Sequence, residues 1–328
     1  MTPYPLPSDP NADHPAAVVI GGANVDFKSQ TSVRPIPGTS NPGRSRSSSG
    51  GVGRNIAENL ARLGASTALV TAVGDDANGA RLLSDTESAG VNIRHIVSTR
   101  QPTGTYTAIL DDGGEMIIAV ASTAALDDMS VDSIAERREL ISHAQILILD
   151  CNVPEKALVR AAMIATESSV RVVVDPVSVA KTERLLAILR AGLPLHTVTP
   201  NLDELQALTG AEGCTDSDLR LAAAQLHSAG VEHVWVRLGV SGSFLSSMRD
   251  GVQLSNRLAP YPATLIDVTG AGDAMLAGYA LGLLRGCDSY AAAKYGRAAA
   301  AITVESEYTV NPSIDFEALS ARVAGATE

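Results

Sequence analysis

The chain is short of aromatic residues, cysteine and basic charge, and each shortage closes off a class of function. Aromatics make up 3% of 328 residues, with a single tryptophan, so any core must be built from Ala, Val, Leu and Ile. The three cysteines, Cys151, Cys214 and Cys287, are odd in number and far apart, with no C-x-x-C spacing. That argues against a disulfide framework or a cysteine zinc site and fits thiols kept in a reducing, cytoplasmic compartment. Six scattered histidines show no H-E-x-x-H spacing, so spacing suggests no histidine-based metal site. A formal net charge of −11 argues against a nucleic-acid partner or an anionic membrane surface, both of which call for a basic patch. No apolar run is long enough to span a bilayer. Residues 1–15 are polar and proline-rich, without the apolar stretch of a signal peptide, and are expected to form a disordered tail.

What is present is 45% hydrophobic residues and a repeated strand–helix pattern. Ala17 to Ile20 reads as a buried strand ending at Gly21-Gly22. Thr67 to Val73 reads as a strand and Asp76 to Ala89 as a helix. From Gln145 onward, short β-branched runs at Ile146–Asp150, Val170–Val174, His196–Val198 and His233–Leu238 alternate with helical stretches. The alternation predicts an α/β domain over 16–328, with a mostly parallel, doubly wound sheet and helices on both faces. Ligands of such sheets sit at the carboxyl ends of the strands. The polar residues Asn24, Asp26, Asn152, Asp175, Asn201 and Asp267 fall there. Two segments break the pattern. Residues 106–110 and 116–120 flank Asp111-Asp112-Gly113-Gly114-Glu115 as a β-hairpin. Residues 28–49, rich in Ser, Pro and Arg, read as a loop or a small exposed sheet. Segments 27–49 and 97–122 are together expected to form a β lid inserted into the domain.

The most informative stretch is Leu265-Ile266-Asp267-Val268-Thr269-Gly270-Ala271-Gly272-Asp273. A β-like run ends in a glycine turn that opens a helix, where free backbone N–H groups and the helix dipole favour an anion such as phosphate. A carboxylate at Asp273 would repel that anion, but suits a base that takes a proton from an attacking hydroxyl. The same pattern also describes a plain strand-to-helix turn. Gly50-Gly51-Val52-Gly53-Arg54-Asn55 is a second glycine turn opening a helix. With Asn24-Val25-Asp26 it would suit a sugar bearing vicinal hydroxyls; a flexible loop and an Asx turn read equally from the residues. Asn201 and Glu204, at i and i+3, suit a water-shelled Mg²⁺ or, on spacing alone, a helix capping box. Arg237-Leu238-Gly239-Val240-Ser241-Gly242 would cover a nucleotide or close a plain hairpin.

Taken in order, N-x-D, G-G-x-G-x-N, N-x-x-E, a glycine turn and D-x-T-G-A-G-D resemble the ribokinase, or PfkB, family of carbohydrate kinases, from about residue 16 to 317. A narrower set is similar to the pseudouridine kinases within it: Asn41-Pro42-Gly43, Gly50 through Ala57, Asp150-Cys151-Asn152, Val174 through Ser178 and Glu307-Tyr308-Thr309-Val310-Asn311-Pro312. The resemblance implies a Rossmann-like domain with a β lid, and transfer of the ATP γ-phosphate to a 5′-hydroxyl. By matching position, Asp273 would be the base and Gly270, Ala271 and Gly272 the anion hole. Asn24, Asp26, Gly50, Gly51 and Asn55 would hold the ribose, with Asn152 near it. Asn201 and Glu204 would organise Mg²⁺ through water, and Arg237, Gly239 and Gly242 would lie along the ATP. Asp267 and Thr269 match a loop that binds K⁺ in many relatives. Thr105, Thr107 and Asn41 are candidates to read the base. The open strand edges of a lid would be covered by pairing two lids in a homodimer. Other sugar or nucleoside kinases, and a kinase-like binding protein without turnover, remain the rival readings.

Overall fold

The structure is a computed structural model that describes residues 14–325. Most of the tail expected over 1–15 therefore lies outside the described residues. In chain order the strands are β1 (Ala17–Ile20), β2 (Asn24–Thr31), β3 (Gly43–Gly50), β4 (Thr67–Val70), β5 (Ala72–Gly74), β6 (Val97–Thr99), β7 (Thr105–Leu110), β8 (Met116–Ser122), β9 (Ile146–Asp150), β10 (Arg171–Asp175), β11 (Leu195–Val198), β12 (Val231–Arg237), β13 (Ser243–Arg249) and β14 (Val252–Leu258).

Eight of them form one sheet in the order β14-β13-β12-β11-β10-β9-β1-β4. The run from β12 to β4 is parallel, and β13 and β14 close one edge antiparallel. Strand alternation sends successive side chains to opposite faces and so makes two cores. Val18, Ile20, Leu147, Leu149, Val172, Val174, Val234 and Val236 face one core. Val19, Ile146, Ile148, Val173 and Trp235 face the other, against the helix Ala271–Leu284. Every residue of β1 and β9 is buried, as a sheet covered on both faces requires. The strand order reverses between β1 and β9, where the chain leaves β1 for the lid, and ligand crevices open at such a switch point.

The lid is a separate four-stranded sheet, ordered β3-β2-β7-β8. The Ser/Arg-rich segment, which has no apolar period to announce it, is its edge strand. β3 pairs with β2 over the full span from Asn24↔Gly50 to Thr31↔Gly43. Main-chain hydrogen bonding supplies this strand, and polar contacts anchor it: Arg81 Nη1 donates to Ser47 Oγ at 2.7 Å and Ser49 Oγ donates to Asp85 Oδ2 at 2.7 Å. The single strand expected from Thr67 to Val73 is two. The chain breaks at Thr71, and β5 pairs with β6 in a two-stranded sheet of its own.

Candidate active site

Three glycine-bearing turns converge at the carboxyl ends of β1, β9, β10 and β12. The first two interlock. A Cβ on Gly53 would lie 2.6 Å from the Cα of Gly21, so only hydrogen at both positions lets the helix Val52–Arg62 reach the end of β1. Beneath this contact Asp150, the last residue of β9, is fully buried. It accepts from the backbone N–H of Gly22 at 2.7 Å and of Asn152 at 2.7 Å. Burial pushes its carboxyl up despite those two bonds. Asn152 is thereby fixed beside Gly22, and its Oδ1 accepts from the Lys181 ammonium. Asp150 opens the Asp150-Cys151-Asn152 motif without a stated role, and Lys181 carries no motif of its own. Only the polar residues at the ends of strands hint at them.

The third turn opens the helix Ala271–Leu284. Gly270 has φ 81°, and a Cβ there would fall 1.9 Å from the carbonyl oxygen of Thr309, so the turn is pressed against the 307–312 segment. No side chain caps this helix. The Ala271 N–H donates to Val268 O at 3.2 Å, so this amide of the expected anion hole is already engaged. The N–H groups of Gly270, Gly272 and Asp273 have no partner among the described residues. The free donors at this end are thus Gly270, Gly272 and the backbone of Asp273 itself, a set suited to an anion.

Asp273 is partly buried and accepts from Asn55 Nδ2 at 2.8 Å, which joins the second and third turns across 218 residues. Its carboxyl is pushed up to about 7. Burial is the main cause, Asp175 and Asp150 push the same way, and the Asn55 amide and Arg237 oppose them. Arg237, at the end of β12, lies under the turn. Its Nη1 donates to Asp175 Oδ2 at 2.9 Å and its Nη2 to Glu204 Oε2 at 3.2 Å. Asp175 and Glu204 are 2% and 1% exposed at their side chains, so one guanidinium neutralises two buried carboxylates.

Asn201 and Glu204 form a capping box: Glu204 N–H donates to Asn201 Oδ1 at 2.8 Å and Asn201 N–H to Glu204 Oε2 at 2.9 Å. With Asn201 Nδ2 on Oε1 and Arg237 on Oε2, both Glu204 oxygens are occupied. The pair therefore fits a hydrated cation held through water, not one bound directly. Burial raises the Glu204 carboxyl even against Arg237. Three carboxylates, at Asp175, Glu204 and Asp273, face the Arg237 guanidinium. That surplus of negative charge fits a divalent cation arriving with a polyphosphate. Beside this group, a cleft of about 550 Å³ is lined by Asn201, Leu202, Asp203, Arg237, Leu238 and Ser241. Gly239 begins, and Gly242 ends, the short turn that joins β12 to the antiparallel β13, so the segment is a hairpin that also borders this cleft.

On the acceptor side, Asp26 accepts from Asn24 Nδ2, and burial raises its carboxyl against the opposing pull of Asn24 and Arg54. Gly50 and Gly51 lie directly against this pair and the end of β1: a Cβ on Gly50 would fall 2.1 Å from Asp26 Oδ2. Arg54, buried at 5% exposure, donates through Nη1 to Ser49 O at 3.2 Å and ties the helix to the lid edge.

Three expected positions are placed differently. Thr105 and Thr107 pair in register with Val25 and Phe27, whose face packs on Val73 and Leu82. Asp26 instead shares its face with Tyr106 and Ser48. A one-residue step in a strand reverses the face, so the two threonines point away from the acceptor side. Asn41 is spent within its own loop: it accepts from Ile36 N–H at 2.8 Å and donates to Ile36 O at 3.0 Å. The Asp267 carboxylate accepts from Thr269 N–H at 2.9 Å and Thr269 Oγ1 at 2.7 Å, and lies 3.8 Å from Lys28 Nζ of the lid. The loop matched to K⁺ thus already meets an ammonium.

A switch-point crevice, an uncapped helix N-terminus, a carboxylate of raised pKa beside it and a β lid define a sugar-kinase class of phosphotransferase. The sequence profile described as pfkB family carbohydrate kinase matches residues 15–315, and the chain belongs to that family. The pseudouridine kinase of Escherichia coli is 33% identical over 300 residues, covering 91% of this chain and 93% of its own. A carbohydrate kinase from Agrobacterium tumefaciens superposes with TM-score 0.78 at 29% identity, over 94% of this chain and 96% of that one. The ribokinase of Arabidopsis thaliana, solved with ribose and ATP, superposes with TM-score 0.83 at 25% identity, over 95% of this chain and all of that one (100%).

Proposed function

We propose that the protein transfers the γ-phosphoryl group of ATP to the 5′-hydroxyl of pseudouridine. The observation that carries the chemistry is Asp273. Its carboxyl is pushed up to about 7, it is held by Asn55, and it stands beside unengaged amides at a helix N-terminus. In this reading the acceptor ribose lies on Asn24, Asp26 and Asn55, and the 5′-hydroxyl faces Asp273. The hydroxyl proton passes to the carboxylate as the oxygen attacks phosphorus. The bond from the γ-phosphorus to the β,γ-bridging oxygen breaks, and ADP leaves. The Gly270, Gly272 and Asp273 amides receive charge on the transferring oxygens. Mg²⁺, organised through water by Asn201 and Glu204, would supply charge neutralisation on the polyphosphate. The narrower substrate rests on the 33% identity to a pseudouridine kinase and on the Glu307–Pro312 segment that braces the Gly270 turn.

A second reading is a ribose or related sugar as acceptor, favoured by the likeness to a ribokinase solved with ribose and ATP. ADP release across pseudouridine, uridine, ribose, adenosine and fructose 6-phosphate, with the product identified by mass and phosphate position, separates the two. Preference for pseudouridine with a 5′-phosphate product supports the proposal. Preference for ribose keeps the chemistry at Asp273 and discards the nucleoside. No ADP release with any acceptor would leave a binding protein. We also place the enzyme in the cytoplasm as a homodimer joined through the lid. The support is its scattered thiols and the open apolar edge of β8. No helix among the described residues is long and apolar enough to cross a membrane.

A further inference from the structure

At the opposite ends of the same strands, the sheet gathers three side chains that the phosphotransfer chemistry does not use. β11 and β12 run parallel, with Leu195 opposite Val231 and Thr197 opposite His233. This places His196 near the start of β11 beside Glu232 and His233 at the start of β12. Four residues of strand, about 13 Å, separate His233 from Arg237 at the catalytic end. One ligand atom from each of His196, Glu232 and His233 lies within 4.8 Å of the other two. Glu232 Oε1 is 3.3 Å from His233 Nε2, and the two imidazole rings meet edge to face at 4.8 Å between centroids.

The rings are held as metal-binding histidines are held. His196 Nδ1 lies 2.8 Å from Thr197 Oγ1, which in turn lies 3.0 Å from the buried Tyr279 hydroxyl. His233 Nδ1 lies 2.9 Å from Ser247 Oγ on β13. Fixing Nδ1 of each ring on a hydroxyl leaves Nε2 as the ligand atom, and His233 Nε2 faces Glu232, the outer-shell arrangement that orients imidazole ligands. The neighbouring His227 is excluded from the group, because its two nitrogens lie on Val231 O and Ser246 Oγ. Arg171, which approaches His196, donates to Leu283 O at 3.3 Å.

We propose that His196, Glu232 and His233 form a binding site for a transition-metal dication of the Zn²⁺ type, distinct from the cation that accompanies ATP. Two imidazoles and one carboxylate select Zn²⁺ or Co²⁺ over Mg²⁺, which takes oxygen ligands. Zinc–ligand bonds of about 2.0–2.2 Å bring ligand atoms closer than the spread seen here. Glu232 is exposed and free to swing inward, while the histidines are anchored. The bound ion clamps β11 to β12 below the catalytic end. The strand spacing hides this group in sequence: 36 residues separate His196 from Glu232, and only sheet pairing joins them.

The test uses the full chain, stripped of metal by chelator and titrated with Zn²⁺ by calorimetry, and with Co²⁺ while recording its visible spectrum. One equivalent bound per chain, a tetrahedral Co²⁺ spectrum and a raised melting temperature are expected. Glu232→Gln, at an exposed position, should keep the fold and weaken Zn²⁺ binding about tenfold or more, and His196→Gln should abolish the Co²⁺ band. Phosphotransfer rates with Mg²⁺ should be unchanged in both variants. Absence of Zn²⁺ binding, or equal binding in the wild type and both variants, would overturn the site.

Discussion

Asp273 illustrates how far one residue can be read. Its place after G-A-G in the sequence marks it as a base beside an anion hole, but not its pKa, which depends first on burial and then on Asp175 and Asp150 arriving from other strands. Two consequences follow from a carboxyl near pH 7. The base must be ionised to act, so kcat/KM should rise through about pH 7 and level off above it. For stability the sign is opposite. The folded carboxyl holds its proton up to about 7 and the unfolded one only to 3.8, so the folded state binds more protons in between and loses stability as pH rises through that window. Asp273→Asn should therefore lower turnover by about 10²–10⁴-fold and raise stability at pH 8 by on the order of 1–4 kcal/mol. Turnover assays and denaturant melts at pH 5 and at pH 8 check both halves. A variant that keeps near-normal turnover would remove Asp273 from the chemistry. Arg237 gives the reverse case. Arg237→Met would leave Asp175 and Glu204 buried without their cation, at a cost of about 3–5 kcal/mol near neutral pH. The loss should shrink as pH falls and the Glu204 carboxyl, already raised by burial, takes up its proton, which urea unfolding at two pH values would measure.

At the scale of the element, the glycine turns and the strands of the main sheet were legible because their signals are local. Alternating buried runs and turn residues need no partner to be recognised. The lid was legible only in part. Its hairpin carries two apolar runs about a turn at Asp111–Glu115, but β3 reads Gly43-Arg44-Ser45-Arg46-Ser47-Ser48-Ser49-Gly50 and is a strand only because β2 offers it a ladder. Register is likewise invisible in a single strand. Thr105 and Thr107 are plausible contacts for a polar base until pairing with Val25 and Phe27 turns them away and puts Tyr106 on the face of Asp26. The test is a pair of variants. Tyr106→Ala should raise KM for the acceptor several-fold and leave KM for ATP unchanged. Thr107→Val should leave both near the wild type. Steady-state kinetics with the preferred acceptor decides between the two faces, since the opposite ranking would return the threonines to the site.

At the scale of the molecule, the sequence order of motifs carried the family and the architecture, although the run before Gly270 that reads as a strand is not one: no strand lies between Leu258 and Ala271, and Leu265, Ile266 and Val268 are exposed. The long-range charge network remained hidden. Arg237, Asp175 and Glu204, with Asp150 acting on Asp273 from the neighbouring strand, come together only when strands far apart in sequence lie side by side. The lid raises the remaining whole-molecule question. β8 is its edge strand, and Met116, Ile117, Ile118 and Val120 are 50–60% exposed there. An open, apolar edge invites pairing with another strand, and no element among the described residues covers it. A second copy of the same lid is the cover proposed above. Sedimentation of the protein should then give twice the chain mass. Ile118→Lys combined with Val120→Lys should give the single mass, with the melting temperature little changed because both side chains already face solvent in one copy. If pairing braces the lid over the acceptor, the same variant should raise the acceptor KM more than it lowers kcat. A wild type that sediments as a single chain would leave this edge without its proposed partner.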